Sequence, residues 1–276
     1  MATDPIAAHK SDVRSRIWAD LRQVAVPDSR FHYDFGEYIT DFAGSPAATA
    51  RLEALPAYND SDTNHQDGTY ACVFITPDNC LEELRRNALL AGRPVLVTTY
   101  GIRRGFWLLD PAAILAAGWR ERLGGGDGWA WYAATLDGME RAGRPVSLAD
   151  LVAEKVSVTA MVTGTGAVNT RGVRFGKGHG FFDLEWGMLH SIGAITIDTP
   201  AVGVVHDCQL LEEDLRPDVF DTVCDYVVTP TRVVEVQGAQ KPTCGILYDR
   251  LQPGMLEDIP PLVELKEILQ KNTKQE

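Results

Sequence analysis

RFGKGHGFFDLEW, residues 174–186, is the stretch that decides how this chain is read. Gly176, Gly178 and Gly180 alternate with Lys177 and His179, and the segment passes from a strand region into a helix. With no side chain on alternate residues, backbone N–H groups can approach a ligand closely. The first N–H groups of the helix are unpaired and carry partial positive charge. Arg174 and Lys177 add full charges, so the segment reads as a cradle for a polyphosphate. Asp183, in the first helical turn, is placed to offer a hard oxygen to Mg²⁺, which binds through one or two carboxylates plus phosphate oxygens. The spacing is neither the Walker nor the Rossmann pattern, and a glycine-rich connection followed by an ordinary first-turn acid has the same spacing.

Working outward, strands and helices alternate. KVSVTAMV (155–162) precedes the loop, and a helix from about 181 to 193 follows it, then AVGVVH (201–206) and CDYVVTPTRVVEV (224–236) as strand segments. Upstream, YACVFI (70–75) and RPVLVTT (93–99) read as strands around a helix in PDNCLEELRRNALLAG, with Pro77 at its start. AAHKSDVRSRIWADLRQVAV (7–26) is an amphipathic helix with Val13, Ile17, Leu21 and Val24 at helical spacing, ended by Pro27. A short helix is expected in SPAATARLEAL, a turn-rich loop in NDSDTNHQDG (59–68), and a closing helix in PGMLEDIPPLVELKEILQKN, before a polar tail. Residues 100–147, rich in Gly and aromatics, read as an active-site loop or an insertion. The expectation is a single α/β domain over residues 1–276, with a mixed, mostly parallel sheet flanked by helices.

The 276 residues carry a net charge of -12, which argues against a nucleic-acid or anionic-membrane surface. No apolar run approaches the ~18 residues of a membrane span, and no signal-peptide pattern opens the chain. The five cysteines are scattered and include no C-x-x-C pair, as suits reduced thiols. A cytoplasmic protein is expected.

R-F-G-K-G-H-G-F-F-D resembles the R-[LI]-G-x-G-x-G-[FY]-x-D signature of the 5-formyltetrahydrofolate cyclo-ligase family. Lys10 and Arg14 reproduce the K-x-x-x-R of that family's first helix, VVHDCQL (204–210) its glutamine segment, and CDYVVTPTRVV its late D-x-[IV]-[IV]-T segment. GKGxGxxDLE, VHDCQ, TPTRV and KPTCGI (241–246) are similar to the divergent methenyltetrahydrofolate synthetase domain-containing branch. The resemblance implies the cyclo-ligase (NagB/RpiA-like) fold, with ATP and a reduced folate meeting in a cleft. It also implies that a formyl oxygen attacks the γ-phosphate and that a nearby nitrogen then closes the ring. On this chain it implies ATP contacts at Lys10, Arg14, Arg174, Gly176, Lys177, Gly178, His179, Gly180 and Phe181, Mg²⁺ at Asp183, and substrate contacts at Phe182 and Gln209. Where the family reads Y-Y-D-R, this chain has Phe181, Phe182, Asp183 and Leu184, without the hydroxyls or the Arg.

Further candidates carry two readings each. His206 and Asp207 end a strand and suit acid–base chemistry, or a helix cap. Trp107, with Trp129 and Trp131, forms a wall for a planar substrate, or core. Arg103 and Arg104 hold a substrate carboxylate, or are solvated, and Glu37 and Glu53 are candidates for the family's substrate-binding glutamate. Three functions follow: a folate cyclo-ligase, the same ligase chemistry on another small amide, or a non-catalytic nucleotide-binding protein.

Overall fold

The computed structural model describes residues 5–59 and 68–273; most of the turn-rich stretch 59–68 and the tail 274–276 lie outside them. Its spine is β1 (Tyr70–Ile75), β2 (Val95–Thr98), β5 (Val156–Gly164), β8 (Ala201–Val204) and β10 (Tyr226–Val228), ordered β10-β8-β5-β1-β2 and all parallel. The sheet is continued antiparallel by β3 (Phe106–Leu109) and β4 (Arg144–Val146) at one side and by β11 (Val233–Glu235) at the other. Strands this apolar suit a sheet covered on both faces. Residues alternate accordingly: Val73, Ile75, Val95 and Val97 join one core, and Cys72, Phe74 and Leu96 the other.

On β5 the alternation breaks. Cys72 pairs with Val158, but Phe74 pairs with Met161, so β5 holds one extra residue there. Val158 and Met161 both face the second core, and Ala160 and Val162 face the first. This is a β-bulge, and such kinks recur beside functional sites.

The chain runs from β1 outward to β2, then crosses back to lay β5 on the other side of β1. The carboxyl ends of β1, β2 and β5 therefore open at a reversal of strand order, where open α/β sheets bind ligands. A small sheet of β6 (Ala167–Asn169), β7 (Arg174–Phe175) and β9 (Leu210–Leu211) leads into the glycine loop.

Several expectations are corrected. Residues 100–147 are mostly ordered: β3 and β4 enclose helices Pro111–Ala116, Trp119–Arg122, Gly128–Ala134 and Leu136–Ala142. CDYVVTPTRVVEV is a hairpin rather than one run, because Pro230 and its neighbours turn between β10 and β11. The closing helix is split at Pro260 into Met255–Asp258 and Pro260–Thr273. Among the described residues no helix is long and apolar enough to cross a membrane.

Candidate functional site

The first helix, Pro5–Leu21, buries Val13 and Ile17 against Ala167 and Phe175 of the small sheet. That packing turns Lys10 and Arg14, one turn apart, toward the glycine loop, where Arg14 lies 3.4 Å from the position a Cβ on Gly178 would take. Gly178 itself has φ +115, a conformation that side chains rarely adopt. The loop ends at Gly180, and helix Phe181–Ser191 begins.

The loop separates two chambers. The helix-side chamber is lined by Lys10, Arg14, Gly178, Phe220 and Asp221, and walled by Ile246, Leu247, Leu251 and Met255. It is cationic at one end and apolar at the other. The strand-end chamber is lined by Thr76, Asp78, Thr98, Tyr100, Lys177, Phe181, Phe182 and Glu185. Arg174, Gly176, His179, Gly180 and Asp183 line both.

The charges are already largely paired. Lys10 Nζ contacts Asp221, between the Phe175 and Phe220 rings. Arg174 contacts Asp183 Oδ1, which also accepts from the Thr222 N–H at 2.8 Å, and the guanidinium lies 4.3 Å over the Phe182 ring. Burial holds the Asp183 carboxyl above its ordinary range, Arg174 opposes the shift, and Asp221 adds to it. Arg14 has no carboxylate in ion-pair contact among the described residues, and burial alone lowers its pKa. A half-buried cation without an anion, facing a cavity, marks a place for a ligand's negative charge. Arg174 Nε, at the boundary, is also a buried donor with no partner.

Gly176 shows what the loop leaves open. A Cβ there would meet nothing within 4 Å, so the protein's own packing does not demand glycine. Gly176→Ala should therefore keep the melting temperature of the parent and, on the expectation that this loop holds ATP phosphates, weaken ATP binding by about tenfold, since the methyl would stand in the way of the backbone amides. Calorimetry beside a thermal melt separates the two; a loss of stability would show that the glycine serves the fold instead.

Burial also pushes the Asp78 carboxyl up, against the Thr76 hydroxyl (2.5 Å) and Gly164 N–H (2.9 Å) that donate to it. Glu185 is 2% exposed, its Oε1 accepts from the Thr98 hydroxyl, and its Oε2 has no partner. Burial pushes its pKa up to about 8. Sequence reading passed over this residue, although it lies four after Phe181 on the same helix face. Glu53 sits outside both chambers, raised mainly by burial and bonded to Asn87, and Glu37 meets the loop through its carbonyl, which accepts from Lys177 Nζ at 3.0 Å.

Other candidates fall away from the chambers. His206 caps a short turn: its Nδ1 accepts from the Cys208 N–H, and its own N–H donates to Gln209 Oε1. Gln209 donates to the carbonyls of Thr165 and Gly166, so its buried amide is spent on the chain. Asp207 is held by the hydroxyls of Thr229 and Thr231, which outweigh burial and lower its pKa. Trp107 and Trp129 pack in the core, and Trp131 lies beneath Arg86. Arg104 forks onto Glu140, and Arg103 is exposed.

The nucleotide fits this donor set: a free guanidinium, glycine amides and an apolar wall. For Mg²⁺ the fit is narrower. Among the described residues no three acidic, His or Cys side chains gather, and Asp183 and Asp221 each already meet a cation. Such a site would depend on phosphate oxygens, as Mg²⁺ sites often do.

The sequence pattern of the 5-formyltetrahydrofolate cyclo-ligase family matches residues 6–230. Similar curated proteins are the methenyltetrahydrofolate synthase domain-containing proteins of Homo sapiens (29% identical, over 95% of this chain) and Danio rerio (30%, over 96%). The chain spans 62% and 63% of those relatives' lengths. Among solved structures, Aquifex aeolicus 5,10-methenyltetrahydrofolate synthetase is similar at 17% identity and a TM-score of 0.47, over 84% of this chain and 95% of that one.

Proposed function

Because the chain belongs to the 5-formyltetrahydrofolate cyclo-ligase family, we propose that its two chambers form the site of an ATP-dependent ligase. It would close a ring on an N-formyl or amide carbonyl, with 5-formyltetrahydrofolate as the first candidate substrate. The observation that carries this reading is the shared wall. One cationic chamber and one aromatic chamber meet at Arg174, Gly176 and Gly180, so a phosphate held on one side can face a carbonyl on the other.

ATP, when bound, supplies a phosphoryl group that turns a carbonyl oxygen into a leaving group. Mg²⁺, when bound, neutralises phosphate charge, with Asp183 and Asp221 as its protein carboxylates. The chain's own part is positioning and charge. Arg14 would offset phosphate charge, with Lys10 oriented beside it by Asp221. The glycine amides would hold the phosphates in line. Arg174, fixed by Asp183 and stacked on Phe182, would present its free Nε to the junction. Phe181, Phe182 and Tyr100 would flank a planar substrate, and His179, stacked on Phe181 at 5.2 Å, would cover the loop. Leu184, in the helix-side chamber where the family signature has Arg, supports the second reading: the same chemistry on a different small amide.

Titration with ATP and an assay with 5-formyltetrahydrofolate, ATP and Mg²⁺ test this. The expected result is binding, with methenyl absorbance and free phosphate rising in step. Arg14→Ala should weaken ATP binding about tenfold or more, a charge-assisted hydrogen bond being worth about 1.5–3 kcal/mol. Its stability should be unchanged, because Arg14 neutralises no carboxylate. Absence of ATP binding would sink the reading; binding without folate turnover would favour the second substrate class.

A further inference from the structure

The strand-end chamber spends several of its donors on the chain itself. The Thr76 hydroxyl and the Gly164 N–H donate to Asp78, the Thr98 hydroxyl donates to Glu185 Oε1, and Lys177 Nζ donates to the Glu37 carbonyl. Arg174 Nε is a buried donor without a partner, on the boundary with the other chamber. Glu185 Oε2 is left with nothing, on a side chain 98% removed from solvent and lining the cavity. A buried oxygen without a hydrogen bond is costly, and native structures seldom leave one unless a ligand or water completes it.

We propose that Glu185 anchors the strand-end chamber's ligand by accepting hydrogen bonds from ring N–H groups, as on the amino-lactam edge of a pterin or another cyclic amidine. This rests on the reading of that chamber as the substrate side. A fixed carboxyl reads a pair of N–H groups strictly, because a ligand lacking them leaves the acid unpaired. Thr98 fixes Oε1, so Oε2 points in one direction. Phe182, buried against Phe74, limits the ligand to a flat ring.

The test uses fluorescence titration of the full chain with pterin and with its 2-dimethylamino-3-methyl analogue, which lacks both N–H groups. Pterin should bind at least about tenfold more tightly than the blocked analogue, one buried hydrogen bond setting that scale. Glu185→Met, which fills the same space without acceptors, should erase the preference. ATP affinity, read in the other chamber, should stay within about twofold and so report that the variant is folded; if it does not, Glu185→Leu, which also lacks acceptors, replaces it. No pterin preference in the parent chain, or one that survives in a folded variant, overturns the assignment. A preference that depends on Glu185, in a chain with no formyl-folate turnover, would support the anchor while rejecting the folate ligase.

Discussion

Asp183→Asn should lower the stability of the fold by about 3 kcal/mol, a cost characteristic of breaking a buried ion pair from one side. The sequence places Asp183 in a first helical turn, where an exposed acid replaced by Asn costs about 1 kcal/mol or less. The structure changes that expectation. The Arg174 side chain is 4% exposed and that of Asp183 10%, so the guanidinium has no water to turn to. Asn could still accept from the Thr222 N–H, but it leaves the charge of Arg174 uncompensated over the Phe182 ring. Urea denaturation of parent and variant checks the figure. A companion set with Arg174→Met, Asp183→Leu and the double variant Arg174→Met/Asp183→Leu should show strong coupling, the double costing less than the two singles together. Additive losses, or an Asn variant as stable as the parent, would mean that Asp183 is not a latch.

This pairing alters how the site works as well as what holds it. Of the four basic residues that the sequence brings to the phosphates, Lys10 and Arg174 are countered by Asp221 and Asp183. Two neutral pairs, the Arg14 guanidinium and the Lys177 ammonium, which donates to the Glu37 carbonyl, orient donors without a large field, in keeping with a chain of net charge -12. The glycine loop was legible because its chemistry is local: alternating glycines need only the strand before them and the helix after them. The parallel spine was legible for a similar reason, since YACVFI and KVSVTAMV are too apolar for a one-sided sheet.

What escaped the sequence depended on distant partners. His206 and Gln209 stand at the end of a strand, where a ligand site and a turn cap look alike along the chain. Only the approach of Thr165 and Gly166 shows that the Gln209 amide is consumed. The spacing of a polar residue and a Gln three later was the available signal for a cap. Trp107 alternates with Phe106 and Leu108 on β3, and both faces of that strand are core, because pairing with β2 carries it into the covered sheet, which no local pattern fixes. Glu185 was hidden differently. It sits in DLE as an unremarkable helical acid, and its burial arises because β2 brings Thr98 beneath it.

The burial of Glu185 also sets a pH dependence. Its pKa is moved from an ordinary 4.5 up to about 8. Between those values the folded chain keeps a proton that the unfolded chain has released. Stability is therefore greatest on the acid side of this window and falls as pH rises through it, by up to about 1.4 kcal/mol per pH unit from this group. The Asp78 and Asp183 carboxyls, raised by burial in the same direction, add to the fall at its acid end. Glu185→Gln keeps the shape and cannot ionise, so its stability should change less with pH and should exceed that of the parent near pH 8. Urea midpoints from pH 5 to pH 9, measured without ligand or divalent cation, read this directly. Parallel pH profiles for parent and variant would mean that Glu185 ionises freely in the fold, and that the chamber is wetter than its packing shows.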